Sequence, residues 1–396
     1  MNSQASSRTV LQWFASRRCR PRALMAGLLL AAGIPSGLHG AAPREELRVR
    51  LTGQALIKQD LRVTAPLAVE QARGYLRGAD VVFTNLEGTV APAGAKVTPR
   101  SATTAFGGPE ILDCLREMGF NLLSLANNHA WDLQEAGLIS TRTEVARRGF
   151  GHAGTGSNAD EAARAGFIDT PAGRVALVAM ASGGVQLTPE SRAGPTRAGV
   201  NFLELRPDGT LDPAQQERIL AAVRSAAREA RLVIAYLHNH YWGEPSAPDA
   251  PPGRERRVGR YRNPAWMETW ARQLIDAGAG VFVGHGDPSL HAIEIYRGRP
   301  ILYGLGNYIF HSGNSLDRYG PVAFLGAVAE VRFTGERLSG LTITPLVLGL
   351  DGAAKGAPFL AQEGEANLVL PGLAAASAPY GTRFRITPEM AELVLP

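Results

Sequence analysis

Short apolar runs alternate with longer amphipathic segments along residues 47–283, and few fold classes accommodate such a pattern. Runs such as Leu47 to Leu51 and Leu232 to Leu237 have the composition of buried strands. Segments such as Pro213 to Ala230 carry apolar residues at helical spacing. Strands that alternate with helices build a largely parallel or mixed sheet, so the pattern predicts an α/β fold.

The pattern changes over residues 291–348, where paired apolar runs flank short turns and predict antiparallel hairpins. The predicted pairs are His291 to Tyr296 with Pro300 to Phe310, and Ala323 to Phe333 with Leu338 to Leu348. Two sheets packed face to face, with helices outside, would accommodate both parts of the chain. No internal repeat or domain boundary is visible, so we expect a single domain over residues 43–396.

Residues 1–42 have the organisation of a secretory signal. Arg17 and Arg18 precede an apolar stretch from Ala23 to Ala32, and small residues follow at Gly40 and Ala42. The paired arginines are similar to those of a twin-arginine signal. We therefore expect a periplasmic or secreted protein, with an uncleaved signal that holds it at the membrane as the alternative.

The basic character of the chain comes from this segment. The formal net charge is +5, and residues 1–42 contain five arginines and no acid, so residues 43–396 have a net charge of 0. The charge therefore gives no support for nucleic-acid binding.

Polar side chains follow the apolar runs at the point where each predicted strand ends. In α/β sheets, ligands bind beyond the carboxyl ends of the strands, so these groups are expected to share one site. Imidazole, carboxylate and amide oxygen together suit a divalent transition metal such as Zn, Mn or Fe. The positions are Gln54, Asn85, Glu87, Asn127, Asn128, His129, His238, His240, His285 and Asp287, with His291 close by.

Each of these residues alone also has an ordinary structural interpretation, such as a hydrogen-bonded histidine or a turn. Asp132 could orient the ring of His129 or cap the following helix. His311 is a candidate for the rim of the site. The Pro- and Arg-rich segment 245–263, which includes Arg257, is either a solvated loop or a clamp for an anionic substrate. No serine-nucleophile motif is present, and Cys114 lies in a predicted helix, so nucleophilic catalysis by serine or cysteine is not expected.

Three stretches together resemble the CapA family, the capsule and poly-γ-glutamate synthesis proteins of the metallophosphatase superfamily. They are Asp80 to Gly88, Leu123 to His129 with Asp132, and Ile293 to Phe310 with its Gly-Leu-Gly-Asn307 sequence. The resemblance covers about residues 47 to 350. It implies a four-layer αββα sandwich of the calcineurin-like metallophosphatase type, and a site related to those of dinuclear metallophosphatases.

The resemblance also suggests roles for individual residues. Asn85 with Glu87, and Asn128 with His129, match two family motifs. His238 or His240 matches the isolated strand-end ligand, and His285 matches the first His of Gly-His-x-His.

Two positions depart from the family pattern. Gln54 stands where a Gly-Asp pair usually supplies a carboxylate, and Gly284-His285-Gly286-Asp287 lacks the second histidine. Asp287 or His291 could replace it. We therefore expect one well-held metal, or two with the second held weakly.

The resulting expectation is an exported CapA-like hydrolase that uses one or two divalent metals. Its substrate would be a γ-glutamyl-type amide in an acidic polymer, or a phosphoester. One alternative is a non-catalytic capsule component that binds an anionic polymer in the same cleft, in contact with membrane-associated capsule machinery. Another is an enzyme that uses the metal to abstract a proton from a peptide. The expected catalytic residues are His129, Asp132 and Glu87; the metal ligands are Asn128, His238, His240 and His285; the substrate-binding residues are Gln54, Asn85, Asp287, His291, Arg257 and Asn307.

Overall fold

The structure, a computed structural model, describes residues 45–92, 94, 104–183, 187–242, 262–313, 316 and 319–395. The predicted signal, Arg257 and most of segment 245–263 lie outside the described residues. Among the described residues, no helix has the length and apolar character needed to cross a membrane.

Strands and helices alternate through the first two thirds of the chain, as the sequence pattern predicts. The strands are β1 (Glu46–Thr52), β2 (Gln54–Leu56), β3 (Val81–Asn85), β4 (Thr89–Val90), β5 (Phe106–Gly107), β6 (Leu122–Ser124), β7 (Gly151–Ala153), β8 (Thr155–Gly156), β9 (Gly166–Thr170), β10 (Gly173–Ser182), β11 (Gly199–Val200), β12 (Leu232–Asn239), β13 (Val281–His285), β14 (Ile293–Tyr296), β15 (Arg299–Leu302), β16 (Asn307–Phe310), β17 (Leu325–Thr334), β18 (Arg337–Leu348), β19 (Pro358–Leu360), β20 (Phe384–Ile386) and β21 (Ala391–Leu393). The helices are α1 (Leu61–Thr64), α2 (Pro66–Leu76), α3 (Glu110–Met118), α4 (Gln134–Arg147), α5 (Ala159–Ala163), α6 (Pro213–Glu229), α7 (Ala265–Asp276), α8 (Glu363–Ala366) and α9 (Leu370–Ser377).

Two large sheets organise these strands. The first has the order β20-β21-β18-β17-β1-β3-β6-β7, with β19 beside β18. Strands β1, β3, β6 and β7 are parallel, and β1 joins the antiparallel part of the sheet through β17. The second has the order β14-β15-β13-β12-β10-β9, and its four central strands are parallel.

Buried apolar side chains show how the layers stack. Inward residues of both sheets, such as Val49 on β1 and Leu177 on β10, form one core between the sheets. The opposite face of the first sheet packs on α2 and α3, and Val82 belongs to that second core. The opposite face of the second sheet packs on α6 and α7 through residues such as Val178. The contacts therefore run helix, sheet, sheet, helix, and the predicted α/β class is confirmed.

One predicted element is wrong. The run Pro300 to Phe310 is two strands rather than one, because Gly306 has a φ of +67° and turns the chain between them. Strand β15 stays in the second sheet, parallel to β13, whereas β16 leaves it and pairs with β2 in parallel. The pairing of β16 with β2 brings Asn307 beside Gln54.

Candidate functional site

The carboxyl ends of β3, β6, β12 and β13 meet at one end of the two facing sheets. Strands β3 and β6 end at Asn85 and Ser124, and the turn after β6 carries Asn127 to His129. Strands β12 and β13 place His238 directly beside His285 in parallel register. Side chains from both sheets therefore converge at this end, where they are buried.

His238 lies at the centre of this convergence. Its Nε2 atom is 2.7 Å from Asn128 Oδ1, 3.0 Å from His240 Nε2 and 3.9 Å from Glu87 Oε1. Its Nδ1 atom is 3.4 Å from both Asn85 Nδ2 and the Tyr236 hydroxyl. Burial, and then the nearby histidines, hold the pKa of His238 well below its ordinary value, so the ring is neutral at physiological pH.

Glu87 is a buried carboxylate beside this histidine. Its Oε2 atom has no hydrogen-bond partner among the described residues. Burial raises the pKa of Glu87 to about 7; the charge of His129 opposes this rise, and that of Asp132 adds to it. A carboxyl group with this pKa can both accept and release a proton near neutral pH.

His129 and Asp132 form a hydrogen-bonded pair on the turn after β6. Their Nδ1 and Oδ2 atoms are 2.7 Å apart, and the same Oδ2 accepts the backbone N–H of Ala105 at 2.6 Å. Burial lowers the pKa of His129, but the hydrogen bond to Asp132 and the charges of Glu87 and Asp132 outweigh it, so the net shift is upward. The contacts of Asp132 are thus with the His129 ring and with the backbone of Ala105, and the role of this aspartate stays a prediction.

His285 lies next to His238 on the neighbouring strand and contacts the same tyrosine, Tyr236. Its Nδ1 atom lies 3.3 Å from the Tyr236 hydroxyl, and its buried Nε2 atom has no partner among the described residues. Burial lowers the pKa of His285 to about 3, and a hydrogen bond with the backbone of Thr52 opposes this only in part. The ring is therefore a neutral group with an available buried nitrogen.

Gln54 on β2 and Asn307 on β16 join this two-stranded sheet to the loop after β13. Gln54 Nε2 donates to Asn307 Oδ1 at 3.1 Å, and Gln54 Oε1 accepts the backbone N–H of Gly286 at 3.2 Å. Asn307 in turn donates to the carbonyl of Ala323 at 2.8 Å. The structure thus gives both amides cross-linking contacts within the protein.

Asp287 and His291 form a separate buried cluster. His291 Nε2 lies 3.1 Å from Asp287 Oδ2, and Ser289 donates its hydroxyl proton to the same oxygen. The His291 ring stacks on Trp242, with centroids 4.2 Å apart and planes inclined by 14°. These contacts tie the loop after β13 to the chain after β12.

Two further residues contact the site residues, although the sequence alone suggested no specific role for either. Asn127 accepts the backbone N–H of His129 at 3.0 Å and donates to Asn85 Oδ1 at 3.2 Å, so it holds two site residues together. Tyr236 contacts both His238 and His285. The sequence could have indicated this role, because Tyr236 lies two residues before His238 on a strand and alternate strand residues point to the same face.

Comparison with known proteins identifies the family of this chain. Residues 48–312 match the family model "Bacterial capsule synthesis protein PGA_cap". The chain belongs to this family. The match includes the Asn-Asn-His turn, both strand-end histidine segments and Asn307.

Three similar proteins illustrate the relationship, and two of them have capsule- or PGA-related names. The "Uncharacterized protein y4sH" of Sinorhizobium fredii is 31% identical over 78% of this chain and 85% of its own length. The "PGA biosynthesis protein CapA" of Bacillus subtilis is 28% identical over 52% of this chain and 46% of its own. The "Capsule biosynthesis protein CapA" of Bacillus anthracis is 24% identical over 73% of this chain and 67% of its own.

In this PGA_cap protein, the donor atoms available to a divalent cation are mostly neutral. Asn128 Oδ1, His238 Nε2 and His240 Nε2 converge, with Glu87 as the nearby carboxylate. These donor types fit Zn, Mn or Fe. Within the part of the chain that the structure describes, however, no group of three or more His, Cys, Asp or Glu side chains is arranged to hold a metal ion.

Proposed function

We propose that this protein is a metal-dependent hydrolase that cleaves a γ-glutamyl-type amide bond in an acidic capsule polymer. The family establishes a link to capsule and poly-γ-glutamate synthesis. The observation that carries the proposal is the convergence of His238, His240 and Asn128 beside Glu87, a buried carboxyl whose pKa is about 7.

The cation would be held by Asn128 Oδ1 and the Nε2 atoms of His238 and His240. In the metal-bound form Nδ1 would carry the ring proton and donate it to the Tyr236 hydroxyl, which would orient the ring and leave Nε2 unprotonated for coordination. One or two divalent ions, Mn, Zn or Fe, would polarise the scissile carbonyl oxygen and lower the pKa of a neighbouring water.

The protein's own groups divide the proton transfers between them. Glu87 accepts a proton from the attacking water, since its pKa lies close to neutral pH. His129, whose pKa is raised, donates a proton to the leaving nitrogen or stabilises the developing oxyanion. Asp132 keeps the imidazole oriented through its hydrogen bond to Nδ1.

The predicted signal sequence adds the proposal that cleavage takes place in the periplasm or outside the cell, near membrane-associated capsule machinery. A phosphoester is a second candidate substrate, because the same donors would stabilise a developing charge on a phosphoryl oxygen.

The test is hydrolysis of γ-linked polyglutamate by the purified full-length chain, after removal of metals and after return of Mn, Zn or Fe. We expect metal-dependent release of new amino termini, a metal content of about one per chain, and loss of both in the His238→Ala variant. A phosphomonoester and a phosphodiester are assayed in parallel. No bound metal under any condition would refute the metallohydrolase proposal.

A non-catalytic polymer-binding component is the second candidate, and two observations favour it. Gln54 supplies no carboxylate and contacts Asn307 and Gly286 within the protein. The described residues also contain no carboxylate- and histidine-rich metal group. Polymer binding that survives a chelator, without hydrolysis in any metal, would identify this role.

A further inference from the structure

We propose that Lys58 and His311 form a subsite for the free α-carboxylate of a γ-linked glutamate polymer, next to the His129–Asp132 pair. The inference rests on the proposed substrate class. It names residues for which the sequence and the family motifs suggested no such role.

The two residues come together because β2 and β16 are parallel neighbours. Lys58 lies just beyond the end of β2, and His311 follows β16 directly. The backbone N–H of Lys58 donates to His311 Nδ1 at 3.1 Å. This bond holds the His311 ring against the Lys58 backbone, and the charge of Lys58 acts on both His129 and Asp132 of the candidate site.

This hydrogen bond determines the tautomer of His311. Burial, and then the charge of Lys58, lower the pKa of His311 to about 4, so the ring is neutral. Since Nδ1 is the acceptor, the ring proton must be on Nε2. Nε2 is buried and has no partner among the described residues, which leaves an N–H donor without an acceptor. A buried donor in this state is costly unless a ligand satisfies it.

Lys58 supplies a positive charge beside that donor. The residue is half-buried, and its ammonium group forms no ion pair within 4.0 Å of a carboxylate in the described residues. Asp132, the carboxylate in electrostatic reach, has its Oδ2 atom bonded to His129 and Ala105. A partly desolvated ammonium with no carboxylate in direct contact is typical of a site that receives an anion.

A carboxylate satisfies both groups at once, because its two oxygens accept hydrogen bonds from separate donors. In a γ-linked glutamate chain each residue keeps one free α-carboxylate beside the amide. Binding that carboxylate at Lys58 and His311 would place the adjacent amide near His129. The subsite would therefore position the polymer and select against uncharged chains.

The experiment measures protection of Lys58 from acylation by acetic anhydride in the full-length protein, followed by peptide mass spectrometry. The probes are a γ-linked glutamate tetramer, the same tetramer with its α-carboxylates converted to carboxamides, and inorganic phosphate. An R228K variant supplies an internal reference, since Arg228 is exposed on α6, behind the second sheet. We expect the charged tetramer alone to slow acylation of Lys58, by about tenfold at saturation.

Variants separate the two contacts. Lys58→Met removes the charge and Lys58→Arg keeps it. His311→Asn keeps an acceptor for the Lys58 N–H but removes the Nε2 donor. We expect Lys58→Met and His311→Asn each to weaken tetramer binding about tenfold or more, whereas Lys58→Arg retains most of the affinity. Circular dichroism and thermal melting check that each variant is folded.

The outcomes distinguish this inference from the proposed hydrolysis. Protection of Lys58 without turnover in any metal supports the subsite and refutes the hydrolase. Hydrolysis with no protection of Lys58, and with KM unchanged in Lys58→Met, refutes the subsite alone. Equal protection by the amidated tetramer, or protection only by phosphate, also overturns the carboxylate assignment.

Discussion

Burial of Glu87 makes the free energy of unfolding depend on pH. Its ordinary pKa of 4.5 rises to about 7 when it is buried. Between these two values the folded chain binds a proton that the unfolded chain has lost, so the free energy of unfolding falls as the pH rises. The loss amounts to about 3 kcal/mol and is complete above pH ~7.

We therefore expect Glu87→Gln to stabilise the metal-free protein at pH 8 relative to wild type, and to have little effect at pH 4.5. Urea unfolding at both pH values measures the difference. Glu70→Gln on α2, at an exposed position, controls for the loss of one carboxylate. A difference between Glu87→Gln and wild type that is the same at both pH values would contradict the expected burial effect.

The His129–Asp132 pair gives a second prediction for single residues. The hydrogen bond and charge of Asp132 help to raise the pKa of His129 against the effect of burial. Asp132→Asn removes the charge and retains an oxygen that can accept the N–H of Ala105. We expect the pKa of His129 to fall, and any hydrolytic activity to drop about 10²-fold or more.

Titration of the His129 ring protons by NMR checks this shift directly. His152, whose Nδ1 atom lies 3.2 Å from the carbonyl of Phe150, provides a reference resonance outside the site. An unchanged His129 titration in Asp132→Asn would show that the aspartate does not set the protonation of the ring.

At the scale of elements, close packing against the end of β12 determines the course of the loop after β13. Gly286 has a φ of +119°, and a Cβ atom there would lie 1.8 Å from the carbonyl oxygen of Asn239. The backbone at the end of β12 thus occupies the space that a side chain would need. Gly286 thereby fixes the main chain that leads to Asp287, which stands at the position of the second histidine.

We expect Gly286→Ala to lower the free energy of unfolding by about 3 kcal/mol or more, from the backbone conformation and the clash together. Gly298→Ala is the matched control, since Gly298 has a φ of +71° and open space around its Cβ position. Chemical denaturation gives the difference between the two variants. Equal destabilisation would mean that the Asn239 contact can relax at little cost.

Among the secondary-structure elements, the sequence predicts where strands end but not which strands pair over long distances. The ends of β3, β12 and β13 follow directly from apolar runs that stop at Asn85, His238 and His285. The transfer of β16 to β2 depends on long-range pairing, and local propensity contains no information on it. The anion-binding role proposed for Lys58 likewise depends on its proximity to His311, which is 253 positions away in the chain.

At the scale of the whole molecule, the candidate site lies where the two sheets meet, so its geometry depends on their packing. Phe83 of the first sheet contacts Tyr236 of the second, with ring centroids 5.4 Å apart and planes inclined by 58°. The Tyr236 hydroxyl in turn contacts His238 and His285. Packing between the sheets and orientation of the imidazoles are therefore connected through one side chain.

This connection predicts different consequences for two core substitutions of similar cost. Phe83→Ala, between the sheets, and Leu274→Ala, between α7 and the second sheet, should each destabilise the protein by about 3–5 kcal/mol. Below their melting temperatures, we expect Phe83→Ala to weaken Zn²⁺ binding about tenfold, because Tyr236 loses its support, and Leu274→Ala to leave it unchanged. Calorimetric titration of the folded variants tests this, and equal Zn²⁺ affinities would show that the histidines keep their geometry independently of the contact between the sheets.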